Sequence, residues 1–438
     1  MRKLITNGWI LTMDEHDHEY RQGDILIEDD KIVYVGSKKT HEQVDEIIDG
    51  QDCLIIPGMV NTHCHVPMMP FRSLGDDCPD RLRRFLFPLE NACMKAELAY
   101  AAAKYGMAEM LLSGITTFAD MYYFMDELAT AAKKMGIRAL LGETVIDQPT
   151  CDASNDQEGL RIGEQFIQKW QGDCLVKPIL ALHATNTNKA ETFQKAMAIV
   201  NRYDTLLMSH VAEMDYEMKY FAETYQMTPI EWLNSINCLN DRLLAVHCIH
   251  VSNNDIELMK EHDVKVAHCP ASNLKAGKGI APVKDMIDQN IAVGFGTDGA
   301  SSGNTLDLFI QMRMFAGAQK TKYHDRSLFP AKEIVKIATI GGAKTLMMDK
   351  EIGTLEVGKK ADIVMISLAG VHMFPQHDPY SLLVYSANAQ DVKHVFVNGQ
   401  QVVKDRNLAV SLAALRQELA DNMEIFNQEA AILSQKIL

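Results

Sequence analysis

The stretch PGMVNTHCHVPMM, residues 57–69, sets two histidines around a cysteine just after the apolar run CLIIPGMV. Residues i and i+2 of an extended chain share a face, so His63 and His65 point together and Cys64 the other way. Further along, LLMSH ends in His210 and GFGTD ends in Asp298. Three imidazole nitrogens and one carboxylate oxygen suit a single divalent ion, Zn2+ or Fe2+, with room left for water. A bound Zn2+ lowers the pKa of its water to roughly 7, which makes hydroxide available at neutral pH. Asp298 is placed to hold or accept the water proton. Glu213, in SHVAE, lies three residues past His210, near the ion without being a ligand, as a proton shuttle requires. His247, ending RLLAVH, is a candidate for holding the attacking oxygen, and His183, ending LVKPILALH, for holding substrate.

These residues need a frame that brings distant segments together. Eight short apolar runs alternate with helical periods between residues 57 and 344: the run before His63, ITTFAD, IRALLG, LVKPILALH, LLMSH, RLLAVH, VKVAH and IAVGFGTD. Gly114 and Gly136 follow helical periods where a C′ glycine is expected. The pattern predicts an α/β fold, a (β/α)8 TIM-type barrel, whose strand C-termini converge on one mouth. Asp120 and His268 end two more of these runs and join the candidates. Residues 1–56 and 345–438 read differently. LITNGWILTM, GDILIEDDKIVYVG, CLIIPG, ADIVMISL and VKHVFVNGQQVVKD are β-rich, and together predict a small β-sandwich built from both termini. Residues 410–438 read as a helical tail.

With 438 residues, 47% hydrophobic, the chain can bury a large core. A net charge of −15 argues against nucleic acid and anionic membranes as partners and leaves a small-molecule substrate open. Nine cysteines with no CxxC pair, a poor signal peptide and no apolar span of membrane length point to a cytoplasmic protein. P-loop, dinucleotide-binding, HExxH and HxE…PCxxC signatures do not occur.

PGMVNTHCH, SHVAE, AVHCIH, HCPASNLKAGKGIAP and GFGTDGASSGNTLDLFIQMR together resemble the amidohydrolase superfamily. The resemblance is strongest to its branch of 5′-methylthioadenosine/S-adenosylhomocysteine deaminases and triazine hydrolases, and IGTLEVGKKADIVMI resembles the return into the small sandwich. It implies one divalent metal, zinc before iron, on His63, His65, His210 and Asp298. A single ion is favoured because His183, with Lys177 six residues earlier, stands where a two-metal relative carries a carbamylated lysine. It also implies substrate contacts from His183, Glu213 and Asp298, and a role for Glu90 of FPLEN in binding ribose hydroxyls. A homodimer is common among such proteins.

The chain departs from that pattern in places. Glu143 of RALLGE stands where an arginine associated with the amino-acid end of adenosylhomocysteine is often found, and Arg161 is a displaced substitute. The segment before FPLEN lacks a tryptophan, leaving Phe71, Phe85 and Phe87 for apolar contact. The expected activity is hydrolytic deamination of an adenosine-type nucleoside (methylthioadenosine, adenosine or adenosylhomocysteine), with release of ammonia. Alternatives are an aminohydrolase or chlorohydrolase of triazines, pterins or guanine, and a barrel without catalysis that serves as an interaction protein.

Overall fold

All eight apolar runs of the central segment form strands, and these pair in chain order into one parallel sheet. The structure, a computed structural model, describes residues 1–38 and 43–437. Its barrel strands are Met59–Cys64, Ile115–Tyr122, Arg138–Val145, Val176–Ala184, Leu207–Val211, Leu243–His247, Lys265–His268 and Val293–Phe295. Side chains stitch the first strand to the segment after the last. Asn61 Nδ2 donates to Thr297 Oγ1 at 2.8 Å, and Thr297 N–H donates to Asn61 Oδ1 at 3.0 Å. The Asp298 N–H donates to the His63 carbonyl at 3.1 Å. The helices Ala96–Leu112 and Met125–Met135 stop before Gly114 and Gly136, both left-handed at φ +84° and +72°, a conformation that disfavours a Cβ.

Side-chain alternation decides what each barrel strand presents. Val60, Ala119, Leu140, Ile179, Met208 and Val246 fill the barrel interior. Their neighbours Phe118, Leu141, Leu180, Leu207 and Leu243 belong to the separate core under the surrounding helices. Ala343, Leu346, Met348 and Ile352 complete the interior core from the end of the barrel segment. Each large apolar side chain buried this way stabilises by about 1.5–3 kcal/mol.

The terminal blocks meet in a second sheet of nine strands. Cys53–Pro57 pairs antiparallel with Ile363–Ser367, and that ladder joins the N-terminal strands to the C-terminal ones. Its separate core is rich in isoleucine, including Ile5, Ile25, Ile27, Ile55 and Ile363 around Phe396. β-Branched side chains suit such a half-buried pleated surface. Glu46–Asp49 adds a short strand beside Lys3–Thr6 that no apolar alternation announces. A buried ion pair ties the sheet to the barrel: Arg138 Nη2 lies 3.0 Å from Asp362 Oδ1 and 3.1 Å from Oδ2.

The tail forms two helices, Leu412–Asn422 and Glu424–Ile437. Glu418 takes both carboxylate oxygens to the ammonium of the buried Lys104. Phe426 packs edge-on against Phe71 with ring centroids 4.7 Å apart. Residues 39–42 and Leu438, which fall in the expected sandwich and tail, lie outside the described residues. Among the described residues no helix is long and apolar enough to cross a membrane.

Candidate active site

The first strand delivers His63 and His65 to the barrel mouth, and Cys64 points away, its thiol donating to Asp120 Oδ2 at 3.2 Å. His183 and His210 keep the inward parity of Ala181 and Met208 on their strands. His247 does not. Leu244 and Val246 face inward, so plain alternation would send His247 out, but its φ of +71° turns it back into the mouth. Asp298 also sits in the left-handed region, at φ +57°. Such conformations cost of order 1–3 kcal/mol each and cluster where function requires them.

Ligand atoms of His63, His65 and Asp298 lie within 4.8 Å of one another, as do those of His63, His210 and His247. His63 Nε2 faces His210 Nε2 at 3.2 Å. His65 Nδ1 donates to the Met121 carbonyl at 2.6 Å, and His210 Nδ1 donates to the His183 carbonyl. Those bonds fix the tautomers and leave Nε2 of each ring for a cation, the outer-shell arrangement usual for metal-binding histidines. Burial, with the neighbouring imidazoles His65 and His210, pushes His63 well below the usual histidine range, and burial does the same to His210. For His65 burial opposes the charge, but the hydrogen bond and charge of Asp298, whose Oδ1 is 3.4 Å from Nε2, raise it to about 9. Burial likewise opposes ionisation of Asp298, yet His65, His247 and His63 hold its carboxyl well below the usual range. The Ser272 hydroxyl donates to Asp298 Oδ2, and Gly299 N–H donates to Oδ1 at 2.7 Å. Neutral His63 and His210 aimed at one another beside an ionised carboxylate fit a divalent ion, which would displace the proton that His65 carries.

Glu213 stands next to this cluster. Its Oε1 accepts from Lys278 Nζ and lies 3.4 Å from His247 Nε2. Burial would raise its pKa, but His247, Lys278 and His210 hold it well below the usual carboxylate range. His247 Nδ1 is 2.9 Å from Asn273 Oδ1. The cavity they share has a volume of about 510 Å3, the size of a small-molecule site. On another wall Glu90 accepts from the Tyr122 hydroxyl at 2.7 Å, and burial raises its carboxyl to about 7 against the opposing hydrogen bond. His183, hydrogen-bonded to Thr187 Oγ1 at 2.9 Å and pushed to about 4 chiefly by burial, faces Phe87 with ring centroids 5.8 Å apart.

Several expectations need correction. Asp120 is the register partner of Cys64, so it shares the outward face; it accepts from Cys64 and from Val66 N–H rather than reaching the cavity. His268 follows the inward Ala267 and is turned out against Phe315, centroids 5.7 Å apart. Glu143 has outward parity with Leu141 and Val145 and accepts from Met125 N–H at 3.3 Å, while its neighbour Thr144 lines the cavity. Arg161 lies on an outer helix, paired with Glu158 at 3.3 Å. Phe71 and Phe85 are wholly buried in the core, leaving Phe87 as the phenylalanine on the cavity. Lys177 pairs with Glu351 at 2.6 Å.

Sequence reasoning gave no role to Lys278, Tyr122, Ser272 or Asn273. For Lys278 a signal existed, a lysine between two glycines in KAGKG. The other three look like ordinary strand and helix residues until the barrel closes.

Comparison with known proteins places the chain among relatives of one fold. The chain is 39% identical over 410 residues to a 5-methylthioadenosine/S-adenosylhomocysteine deaminase of Syntrophus aciditrophicus, covering 92% of this chain and 93% of that protein. The crystal structure of an adenosine deaminase from Xanthomonas campestris with bound zinc superposes with a TM-score of 0.95 at 30% identity, covering 97% of this chain and 98% of that one. An atrazine chlorohydrolase from Arthrobacter aurescens complexed with zinc superposes with a TM-score of 0.90 at 25% identity, covering 97% and 100%. The Amidohydrolase family model matches residues 54–402, and this chain belongs to that family.

Proposed function

We propose that the protein is a metal-dependent hydrolytic deaminase of an adenosine-type nucleoside. The observation that carries this reading is the placement of Glu213 beside four convergent donors, His63, His65, His210 and Asp298, at the wall of one cavity. The names of the Syntrophus and Xanthomonas proteins support the substrate class.

His63, His65, His210 and Asp298 would hold one ion, zinc in preference to Fe2+ since both solved relatives named above hold zinc. When bound, the ion supplies a nucleophile from water at neutral pH. Glu213, ionised in the free protein, takes one proton of the attacking water and gives it to the ring nitrogen beside the amino-bearing carbon, which makes that carbon electrophilic. Asp298 takes the other proton of that water and passes it to the departing ammonia. His247 holds the oxygen that becomes the new ring substituent. Glu90 and His183 fix the sugar side of the substrate.

The 5′ end of the substrate is best uncharged. Glu143 and Arg161 lie off the cavity, Arg81 is spent on the carbonyls of Phe71, Leu74 and Ser301, and Arg83, which does line the cavity, pairs with Asp80 at 3.4 Å and lies over the Tyr216 ring. Leu82, Leu86, Phe87 and Ile146 offer apolar wall instead. Methylthioadenosine or adenosine therefore fits better than adenosylhomocysteine. The rival, a triazine, pterin or guanine hydrolase, draws support for triazines alone from the likeness to the Arthrobacter atrazine chlorohydrolase.

A panel of nucleosides, free purines, pterins and triazines decides between them, with absorbance, ammonia release and bound metal measured on one sample. Ammonia from an adenosine-type nucleoside at a rate above that from every triazine and pterin is the expected result. Turnover of triazines alone would overturn the nucleoside assignment. A metal-loaded protein inert on the whole panel would overturn the enzyme itself.

A further inference from the structure

The segment LKAGKG, which follows the seventh barrel strand, carries a cation into the cavity. Gly277 and Gly279 flank Lys278 at φ +63° and +122°, and a Cβ on Gly279 would lie 3.0 Å from Ile249. The φ of +122° suits glycine alone among common residues, and that of +63° favours it. The Lys278 N–H donates to the Asn273 carbonyl at 3.0 Å, which closes the turn. The turn aims the side chain inward, where it is 15% exposed. Its ammonium donates to Glu213 Oε1, the oxygen that His247 also faces. Among the described residues no side chain is hydrogen-bonded to Oε2.

Taking an ammonium out of water costs several kcal/mol unless it is well paired, and an apolar residue of similar volume avoids that cost. Burial opposes the charge on Lys278, and the carboxylates of Glu213 and Asp298 outweigh it. The interaction with Glu213 is therefore the reason for a lysine here.

We propose that Lys278 is a positioning residue for deamination: it pins Glu213 Oε1 so that Oε2 is presented to the ring nitrogen of the bound heterocycle. This rests on the nucleoside-deaminase reading above. Lys278 acts through Glu213 and does not touch the reacting atoms. A carboxylate held in one rotamer reaches the ring nitrogen without first losing conformational freedom. The benefit falls on kcat rather than KM, because the contact strengthens as the proton moves.

The test compares Lys278→Met and Lys278→Arg in the wild-type and Glu213→Gln backgrounds, on a nucleoside that the wild type deaminates, with bound metal quantified. Lys278→Met is expected to lower kcat on the order of 10- to 100-fold, with KM within about threefold and metal content unchanged. Lys278→Arg is expected to recover most of that loss. In the Glu213→Gln background the methionine is expected to cost nothing further, whereas a merely structural lysine would cost the same in both. An unchanged kcat, an equal loss in both backgrounds, or a loss confined to KM overturns the proposal. If the methionine variant does not fold, Lys278→Gln carries the same comparison. A wild type inert on every nucleoside overturns the deaminase reading and this proposal with it. An active wild type with one of the failures above overturns the role of Lys278 alone.

Discussion

His63 Nε2 and His210 Nε2 face each other 3.2 Å apart, on strands separated by 147 residues of chain. Two ring nitrogens 3.2 Å apart, converging with His65 and Asp298, suit a shared tetrahedral cation. Stripping metal with a chelator is therefore expected to abolish activity and lower Tm, with both restored by one equivalent of Zn2+. An ion at a thousand times its Kd stabilises the native state by about 4 kcal/mol. Retained turnover after complete chelation, checked by elemental analysis, would remove the metal from the mechanism.

Glu213→Gln keeps the shape and loses the carboxylate that relays the proton. Its expected effect is a fall in kcat of about 10²- to 10⁴-fold with metal content and nucleoside affinity nearly unchanged. Steady-state kinetics alongside calorimetric binding of a non-reactive purine nucleoside separates these.

Glu90 makes stability depend on pH. Burial raises its carboxyl from 4.5 to about 7. Between those values the native state holds a proton that the unfolded chain has released, so stability falls as pH rises and levels off above about 7. The full cost is roughly 3 kcal/mol. Glu90→Gln is expected to be more stable than wild type at pH 8 and equal to it near pH 4, read by urea unfolding at each pH. The same variant is expected to raise KM for nucleosides and spare a substrate without a ribose. Unfolding curves that coincide at both pH values would show that Glu90 is not held neutral.

The buried pair Arg138–Asp362 joins the barrel to the terminal sheet. Asp362→Ala leaves a guanidinium buried without its carboxylate and is expected to cost about 3–5 kcal/mol of unfolding free energy. Replacing both residues by apolar ones is expected to cost much less. Equal losses in the single and double variants would mean that packing, not charge, is what matters there.

The barrel was legible because each strand is a short apolar run bounded by helical periods, and because its polar residues fall at strand ends. Parity was the part left unused. Counting inward from Met121, Ala267 and Leu140 would have turned Asp120, His268 and Glu143 away from the cavity. His247 shows the limit of such counting, since a single left-handed residue reverses it. Lys278 and Tyr122 were illegible for another reason. Their partners, Glu213 and Glu90, are 65 and 32 residues distant, and only closure of the barrel makes the contacts. The strand Glu46–Asp49 was missed because its EIID sequence is too short and acidic to show a pleat.

Phe426 closes on Phe71 beneath the segment that carries Phe87 and Glu90, and the helix Glu424–Ile437 lies along Phe87–Cys93. That helix thus backs the segment proposed to hold the sugar side of the substrate. If that segment holds the sugar, Phe426→Ala, which empties the space behind Phe71, is expected to change the ranking of nucleosides and leave metal content unchanged.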